Sequence, residues 1–165
     1  MHKLLPKLYI FIEDFIPLEL NLLNKNISII FRNYNKLIND DVIVALKAYC
    51  KYHKRDLYLA NDIKKAVKHK LSGVYIPSFN KKLNLHAFSL PKDFKLLGSA
   101  HNQSEINVKE AQGCSLIFLA PVFKVSKKSN FFGVTKYNLL TLNQKSMFIA
   151  LGGINEFTIK KVGLL

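Results

Sequence analysis

The stretch that decides the fold is Ser115–Lys128, with the sequence SLIFLAPVFKVSKK. It begins with a continuous apolar run, Leu116–Ala120, and continues as a polar loop rich in lysine. A buried strand that leads into a loop suited to phosphate is how parallel α/β barrels build sites at the carboxyl ends of their strands. Whether the stretch is such a strand depends on the segments around it.

Six further segments have the length and composition of strands. Continuous apolar runs, rather than alternating ones, are typical of strands covered on both faces, as in a parallel sheet. These segments are Leu8–Ile12, Asn26–Arg32, Asp56–Ala60, Val74–Ile76, Lys95–Ser99 and Met147–Ala150.

Helical patterns separate several of these strands. One helix opens at Asp40-Asp41 and presents one apolar face. A short one is capped by Asn61, and a third has the capping-box spacing of Asn102 and Glu105, with Ile106, Val108 and Ala111 inside. A last helix is predicted from Asn155 to Val162, a weakly helical stretch after Pro77, and a long loop around Gly133.

Strands that alternate with short helices predict an α/β protein with a parallel sheet, here a TIM (β/α)8-type barrel formed by one domain over residues 1–165. Such a barrel has eight strands and usually about 250 residues. The chain has 165 residues, and it stops where an eighth strand would begin. We therefore expect a barrel that lacks the eighth strand or is truncated before it. An open barrel exposes a strand edge that a second copy of the chain can cover, so a homo-oligomer is one possible state.

The charge balance is strongly basic, because 25 Lys and Arg face 11 Asp and Glu, a net charge of 25 − 11 = +14. One explanation is a nucleic-acid-binding surface, and the other is a solvated lysine surface. The charges punctuate helices rather than cluster, and the aromatic residues fall mostly in strands, which favours the second explanation.

Cysteines and the amino terminus indicate a cytoplasmic protein. Cys50 and Cys114 are far apart and lack metal-type spacing, so we expect both in the core and a reducing compartment. The apolar run at the amino terminus is broken by Pro6 and is too short to span a bilayer. We therefore expect no membrane association. The histidines other than His101 are interpreted as surface residues: His2, His53, His69 and His86.

Polar residues concentrate where strands lead into helices, which places the chemistry at the carboxyl ends of the strands. Seven junction segments follow one another along the chain: LYIFIED (8–14), IIFRNYN (29–35), LYLAND (57–62), GVYIP (73–77), LGSAH (97–101), LAPVF (119–123) and ALGGI (150–154). In order and approximate spacing, the set resembles the thiamine-phosphate synthase and TenI family, from Leu8 to Val162.

The resemblance implies a reaction and its site. The family's synthase joins hydroxymethylpyrimidine diphosphate to thiazole phosphate, giving thiamine phosphate and pyrophosphate, with Mg²⁺ on the diphosphate. By motif position, the diphosphate side falls on Arg32, Asn61, Ser99, His101 and Lys128. The thiazole phosphate falls on Gly152 and Gly153, whose amides suit an anion. The metal falls on Asp62 and, as a weaker ligand, Asn80.

The chain departs from the family's pattern at several of these motifs. The family's lysine two positions after the arginine is Tyr34 here, its histidine in the fourth segment is Tyr75, and its second metal-binding aspartate is Asn80. The hydroxyl residues of the lysine loop are also replaced, although Lys128 keeps the lysine. TenI-type tautomerases place a histidine where Pro121 stands, so that activity is not expected.

Two functions follow from the resemblance. The first is a thiamine-phosphate-synthase-like transferase, slowed by these replacements, with no side chain assigned to a catalytic step. The second is a non-catalytic or reassigned member that binds a small phosphorylated heterocycle. Helix caps, surface residues and turns would explain the same side chains without a ligand.

Overall fold

The computed structural model describes residues 8–34, 37–83, 89–125 and 130–162. Seven strands form a sheet in the order of the chain: β1 (Leu8–Ile12), β2 (Ile27–Phe31), β3 (Leu57–Ala60), β4 (Gly73–Ile76), β5 (Lys95–Ala100), β6 (Leu116–Leu119) and β7 (Met147–Ala150). The pairs from β1 to β4 and from β5 to β7 are parallel. The α/β class and the seven strands are therefore confirmed, and the described residues contain no eighth strand.

The described residues contain six helices: α1 (Pro17–Asn21), α2 (Asp40–Tyr52), α3 (Ile63–Lys68), α4 (Gln103–Ala111), α5 (Gly133–Thr141) and α6 (Ile159–Val162). Helices α1 and α5 were not predicted, and α6 begins four residues later than expected. The predicted helical stretch after Pro77 is not helical up to Leu83, and its remainder, residues 84–88, lies outside the described residues. None of the described helices is long and apolar enough to cross a membrane.

By their internal contacts, the described residues divide into two compact units. The first runs from β1 to Tyr75 and includes Leu90–Lys95. The second contains Ile76–Leu83, Ser89 and the described residues from Leu96 onward.

In the first unit, helix α2 is anchored to the sheet through Ile43, Leu46 and Cys50, which are all buried. Its start is fixed by Asn39, whose Oδ1 accepts a hydrogen bond of 3.1 Å from the amide of Asp41. The two aspartates of the first turn add favourable charge at this end of the helix. The predicted start and apolar face of this helix are thus confirmed.

The two faces of this sheet differ in composition. Register pairs Phe11 with Ile30 and Ala60 with Tyr75, and successive residues of a strand point to opposite faces. One face carries four aromatic residues in two contacting pairs, Tyr9 with Tyr58 and Phe11 with Tyr75, whose ring centroids lie 5.9 and 5.2 Å apart. The second pair lies nearer the carboxyl ends of the strands, where polar residues were predicted.

Arg55 stabilises the segment between α1 and β2, at the amino end of that strand. Its buried guanidinium donates to the carbonyl oxygens of Asn24, Ile27 and Leu23 at 2.7–3.0 Å, and it lies 3.5 Å from that of Leu20. These bonds satisfy carbonyl groups at and after the end of α1.

The interpretation of His69 as a surface residue was wrong. Its side chain is 11% exposed, and its Nε2 lies 3.1 Å from Oδ2 of Asp40. Lys68 and Lys65 approach the same carboxylate at 2.6 and 3.4 Å. Hydrogen bonds from Lys68, His69 and Lys65 hold the pKa of Asp40 well below its usual range. Asp40 therefore ties the first turn of α2 to the end of α3.

The second unit packs α4 on strands β5 and β6, with Leu97, Ile106 and Ile117 fully buried. Of the α4 residues expected inside, Ile106 is buried and Ala111 is exposed. Lys109, which was not expected inside, is buried. Both cysteines, Cys50 of the first unit and Cys114 of the second, are buried, as predicted. Burial raises the pKa of each thiol to about 12.

Candidate active site

Arg32 follows β2 directly and is held between two aromatic rings. Its guanidinium carbon lies 4.7 Å from the centroid of the Phe11 ring and 6.0 Å from that of Tyr34. Its backbone amide donates to the carbonyl of Ile12 at 2.8 Å, which extends the β1–β2 ladder. A guanidinium stacked on an aromatic face keeps the edge that carries its N–H donors available for an anion.

The surroundings of Arg32 are aromatic rather than cationic. The Phe11 and Tyr75 rings meet edge to face at 76°. Burial raises the pKa of Tyr34 to about 12, with a contribution from Tyr75 and an opposing one from Arg32. Tyr34 therefore stays neutral at physiological pH, and Arg32 supplies a positive charge beside it.

Asn61 and Asp62 follow β3, and their roles differ from those expected. The residue that caps α3 is Asp62, not Asn61: its Oδ1 accepts from the amide of Lys65 at 2.9 Å. Asn61 instead has φ +60° and donates its amide to the carbonyl of Tyr75 at 2.8 Å. The left-handed residue shifts the cap by one position, and the cap uses one of the two carboxylate oxygens of Asp62.

A cavity of about 470 Å³ lies in the first unit, and none of the predicted site residues lines it. It is formed by the loops after β1 and β2 and by the first turns of α2. Its walls are largely apolar, with Phe15, Phe31 and Val42, and three carboxylates, Glu13, Asp14 and Asp41, also line it. An acidic lining does not suit a diphosphate, so this cavity is separate from the predicted site.

In the second unit, Gly152 and Gly153 follow β7 with φ angles of +86° and +69°. Their left-handed backbone is needed as well as their small size. A Cβ on Gly152 would lie 2.8 Å from the Cα of Pro121, and one on Gly153 would lie 2.7 Å from the carbonyl oxygen of Lys124. Two successive left-handed residues turn consecutive amides toward one side, a geometry that suits an anion.

The segment after the glycines is a turn before it is a helix. The side chain of Asn155 accepts from the amides of Phe157 and Thr158 at 2.9 and 3.0 Å, and the Thr158 hydroxyl donates to the carbonyl of Gly153 at 2.9 Å. These bonds fix the Gly152-Gly153 turn from its carboxyl side. Within the described part of the chain, the backbone amides without a partner here include those of Gly152 and Gly153 in the turn, and these do not belong to a long helix.

Ser99 and His101 come from β5 and the residue after it. Ser99 is buried in the strand. The His101 Nδ1 lies 3.1 Å from Oε2 of Glu105, and its amide donates to the same oxygen at 2.8 Å. Because a carboxylate only accepts, Nδ1 carries the proton and Nε2 is left for another partner. In the predicted capping box, Asn102 accepts from the amide of Glu105 as expected, whereas Glu105 accepts from His101 rather than from Asn102.

Asn80 is engaged within its own loop. Its Oδ1 accepts from the amide of Lys82 at 3.1 Å, and its carbonyl oxygen accepts from the side chains of Lys109 and Gln112 at 2.7 and 2.9 Å. Sequence reasoning missed Lys109 and Gln112, because lysine and glutamine in a helix are usually solvated. The predicted residue Lys128 lies outside the described residues.

Each unit thus gathers part of the predicted set. The first brings Arg32, Asn61 and Asp62 to the ends of the neighbouring strands β2 and β3. The second places Ser99, His101, Gly152 and Gly153 at or just after the ends of β5 and β7. Over the residues that the structure describes, no three acidic, histidine or cysteine side chains come together as a metal site.

A fold of parallel strands and helices, with polar residues collected at the carboxyl ends of the strands, defines the class of (β/α)-barrel-type proteins. A family model described as thiamine monophosphate synthase matches residues 22–163. The chain belongs to this family, as the resemblance of its junctions implied.

One curated relative is the thiamine-phosphate synthase of Prochlorococcus marinus, 34% identical over 71 residues. The match covers 41% of this chain and only 20% of that relative. The chain therefore aligns with about a fifth of the length of this relative.

Solved structures share the fold at low identity. The thiamine phosphate pyrophosphorylase from Pyrococcus furiosus has a TM-score of 0.68 and 14% identity, over 96% of this chain and 81% of that one. The citrate synthase SbnG gives 0.64 and 12%, over 96% and 82%. The pyrophosphorylase from Bacteroides thetaiotaomicron gives 0.56 and 16%, over 96% and 78%. These likenesses confirm the predicted barrel-type fold, and the citrate synthase shows that the fold is shared by different activities.

Proposed function

We propose that this chain is a thiamine-phosphate-synthase-like transferase that condenses hydroxymethylpyrimidine diphosphate with thiazole phosphate. The observation that carries the proposal is Arg32, a guanidinium stacked on Phe11 at the carboxyl end of β2. An arginine held in this way binds two oxygens of a diphosphate at a small cost in side-chain entropy.

The chemistry asks for stabilisation of a leaving group. The bond between the pyrimidine methylene carbon and the diphosphate oxygen breaks, and its electron pair leaves with pyrophosphate. The thiazole nitrogen forms the new bond to that carbon and becomes a thiazolium. Arg32 favours this step because it holds the charge that develops on the departing oxygens, and Asn61, Ser99, His101 and Lys128 are proposed to bind the same group.

Asp62 is the residue proposed to hold Mg²⁺. Its carboxylate has one oxygen beyond the one that caps α3, and a Mg²⁺ bound by one carboxylate, water and diphosphate oxygens is a common arrangement. The donor set therefore fits a metal that arrives with the diphosphate rather than a preformed metal site. When bound, Mg²⁺ would neutralise charge on the leaving group. Asn80 contributes less, since its side-chain oxygen already accepts from Lys82.

Gly152 and Gly153 are proposed to bind the phosphate of the thiazole. Their left-handed turn presents backbone amides, and no hydrogen bond from these two amides to the described residues competes with a ligand. Backbone donors orient a phosphate without adding a positive charge that would repel the forming thiazolium.

A second candidate is a family member that binds a phosphorylated heterocycle without turnover. The observation that favours it is the aromatic surroundings of Arg32: Tyr34 stands where the family has a lysine, and burial raises its pKa to about 12, so this position adds no positive charge beside Arg32. Loss of a neighbouring positive charge weakens a diphosphate site and slows departure of the leaving group.

Calorimetric titrations separate the two candidates. The purified chain is titrated with inorganic pyrophosphate and Mg²⁺, and separately with thiazole phosphate. A transferase must bind both ligands, with pyrophosphate binding that depends on Mg²⁺, and formation of thiamine phosphate from the two substrates then separates it from a member that only binds. A chain that binds thiazole phosphate alone supports the second candidate, and a chain that binds neither contradicts both.

A further inference from the structure

Lys109 is a fully buried cation on helix α4, with 0% of its surface exposed. Its Nζ donates to the carbonyl oxygens of Pro77 and Asn80 at 2.8 and 2.7 Å and to Oε1 of Gln112 at 2.8 Å. These three acceptors use all three ammonium protons, and all of them are neutral. Lys109 thus differs from an ordinary buried lysine, which is paired with a carboxylate.

Gln112, the C-cap residue directly after α4, completes the arrangement and is also fully buried. Its Nε2 donates to the carbonyl oxygens of Asn80 and Lys82 at 2.9 and 2.8 Å. Its Oε1 accepts from Lys109, so the two side chains orient each other. Together, the Lys109–Gln112 pair makes four hydrogen bonds to backbone carbonyls of the segment Pro77–Lys82.

The neighbouring strand leaves room for this lysine. A Cβ on Gly98 of β5 would lie 2.9 Å from Cδ of Lys109 and 3.0 Å from Sγ of Cys114. The aliphatic part of Lys109 therefore passes over a position that only glycine can occupy. This close approach makes the direction of the side chain a property of the packing as well as of its hydrogen bonds.

Two hydrogen bonds join residues within the segment Pro77–Lys82. The amide of Asn80 donates to the carbonyl of Pro77 at 3.1 Å, and that of Lys82 donates to the Asn80 side chain. The carbonyl oxygen of Asn80 receives both Lys109 and Gln112, so the contacts converge on the predicted site residue. A buried charge adds little net stability, and its value lies in fixing one geometry.

We propose that Lys109 and Gln112 are positioning residues: they hold the Pro77–Lys82 segment against α4 and so set the affinity of the chain for a Mg²⁺-bound diphosphate. The choice of ligand rests on the proposed function. The claim that the segment is held rests on the hydrogen bonds alone. The pair acts through the backbone of the segment and contacts no reacting atom.

The test uses the full chain and the substitution Gln112→Glu. Glutamate keeps the acceptor for Lys109 and loses both donors to the segment, and its second oxygen then faces the carbonyls of Asn80 and Lys82. Gln103→Glu is the matched control, because it makes the same chemical change at an exposed position of the same helix. Lys109→Met serves as a second variant that removes the ammonium group.

Circular dichroism first checks that the variants are folded like the wild type, and two quantities are then measured. Amide hydrogen exchange of residues 78–83 is expected to accelerate about tenfold or more in Gln112→Glu, since two hydrogen bonds are lost, and to stay unchanged in Gln103→Glu. The dissociation constant for inorganic pyrophosphate with Mg²⁺ is expected to rise by a similar factor in Gln112→Glu alone.

Unchanged hydrogen exchange in Gln112→Glu and Lys109→Met would contradict the claim that these two residues hold the segment Pro77–Lys82 against α4. Faster exchange with unchanged pyrophosphate affinity would overturn the positioning role. A wild-type chain without affinity for pyrophosphate would contradict the proposed function and the ligand role of the pair. The exchange rates would then still test, without any ligand, whether Lys109 and Gln112 hold the segment.

Discussion

The guanidinium carbon of Arg32 lies 4.7 Å from the centroid of the Phe11 ring, so the residue that follows β2 is supported by the neighbouring strand β1. Stacking of this kind fixes a cation near an aromatic face and lowers the entropy that it loses when an anion binds. The predicted diphosphate-binding residue is thus oriented before any ligand arrives.

Replacing Arg32 by methionine keeps an unbranched side chain beside Phe11 and removes the charge. We expect the affinity for pyrophosphate with Mg²⁺ to fall about 10- to 100-fold, since hydrogen bonds to charged groups contribute about 1.5–3 kcal/mol. Calorimetry measures the change. Lys64→Met, an exposed cation on α3, is the control and should leave the affinity within about twofold. Equal losses in both variants would mean that net charge, not Arg32, attracts the ligand.

Two substitutions at Asp62 separate its structural role from its proposed metal role. Asp62→Asn keeps an oxygen that can accept from the amide of Lys65, so stability should be unchanged while the Mg²⁺ dependence of pyrophosphate binding is lost. Asp62→Ala removes the cap as well and should also cost about 1 kcal/mol of unfolding free energy. Calorimetry and urea unfolding measure the two effects. Mg²⁺ dependence that survives in Asp62→Asn would refute the metal role.

The Gly152 turn is tested against a second left-handed glycine. Gly152 and Gly133 have φ angles of +86° and +72°, but a Cβ would meet Pro121 only at Gly152, whereas nothing lies within 4 Å at Gly133. Alanine at Gly133 should therefore cost about 1–2 kcal/mol, from the backbone conformation alone. Alanine at Gly152 should cost roughly 2 kcal/mol more, because the contact adds overpacking. Equal unfolding free energies of the two variants in urea would contradict the close contact.

The stability contributed by Lys109 should depend on pH. Burial lowers its pKa to about 8 from the ordinary 10.5, while nearby Cys114 and Glu105 act in the opposite direction. Between these values the unfolded chain holds the proton and the folded chain does not, so raising the pH favours folding. Relative to Lys109→Met, the unfolding free energy should rise between pH 8 and 10.5, by roughly 3 kcal/mol at most, since one pKa unit is about 1.4 kcal/mol.

The comparison with Lys109→Met is needed because the buried thiols act in the other direction. Burial raises the pKa of Cys114 and of Cys50 to about 12 from 9, so both thiols destabilise the fold as the pH rises above 9. The contribution of Cys50 cancels in the difference, whereas that of Cys114 cancels in part, because Lys109 lowers the pKa of this thiol in the wild type alone. A difference that stays flat from pH 8 to 10.5 would show that the neutral acceptors hold the proton on Lys109 throughout.

The strands could be predicted because their signal is local. A run such as Leu116–Ala120 has no helical periodicity, and turn residues bound it, so its state does not depend on distant contacts. Helix α5 lacked such a signal. It begins at Gly133, the preceding Phe132 provides no side-chain cap, and Leu139 on its surface and Leu142 directly after it are exposed.

The sequence predicted which site residues lie at strand ends, but it did not predict their hydrogen-bond partners. Motif order placed Arg32, Asp62 and Gly152 at strand ends, and the structure has them there. The left-handed Asn61 that moves the cap to Asp62 leaves no mark in composition. Lys109 and Gln112 read as solvated helix residues, because only the folded chain brings the carbonyls of Pro77 and Asn80 to them.

The most direct measurement is pyrophosphate release by the purified wild-type chain with hydroxymethylpyrimidine diphosphate, thiazole phosphate and Mg²⁺, with thiamine phosphate identified by mass. The proposed transferase predicts that both products form in equal amounts, that release requires thiazole phosphate, and that Asp62→Asn abolishes it. Binding of both substrates with no thiamine phosphate formed would contradict the transferase and leave the chain as a binding member of its family.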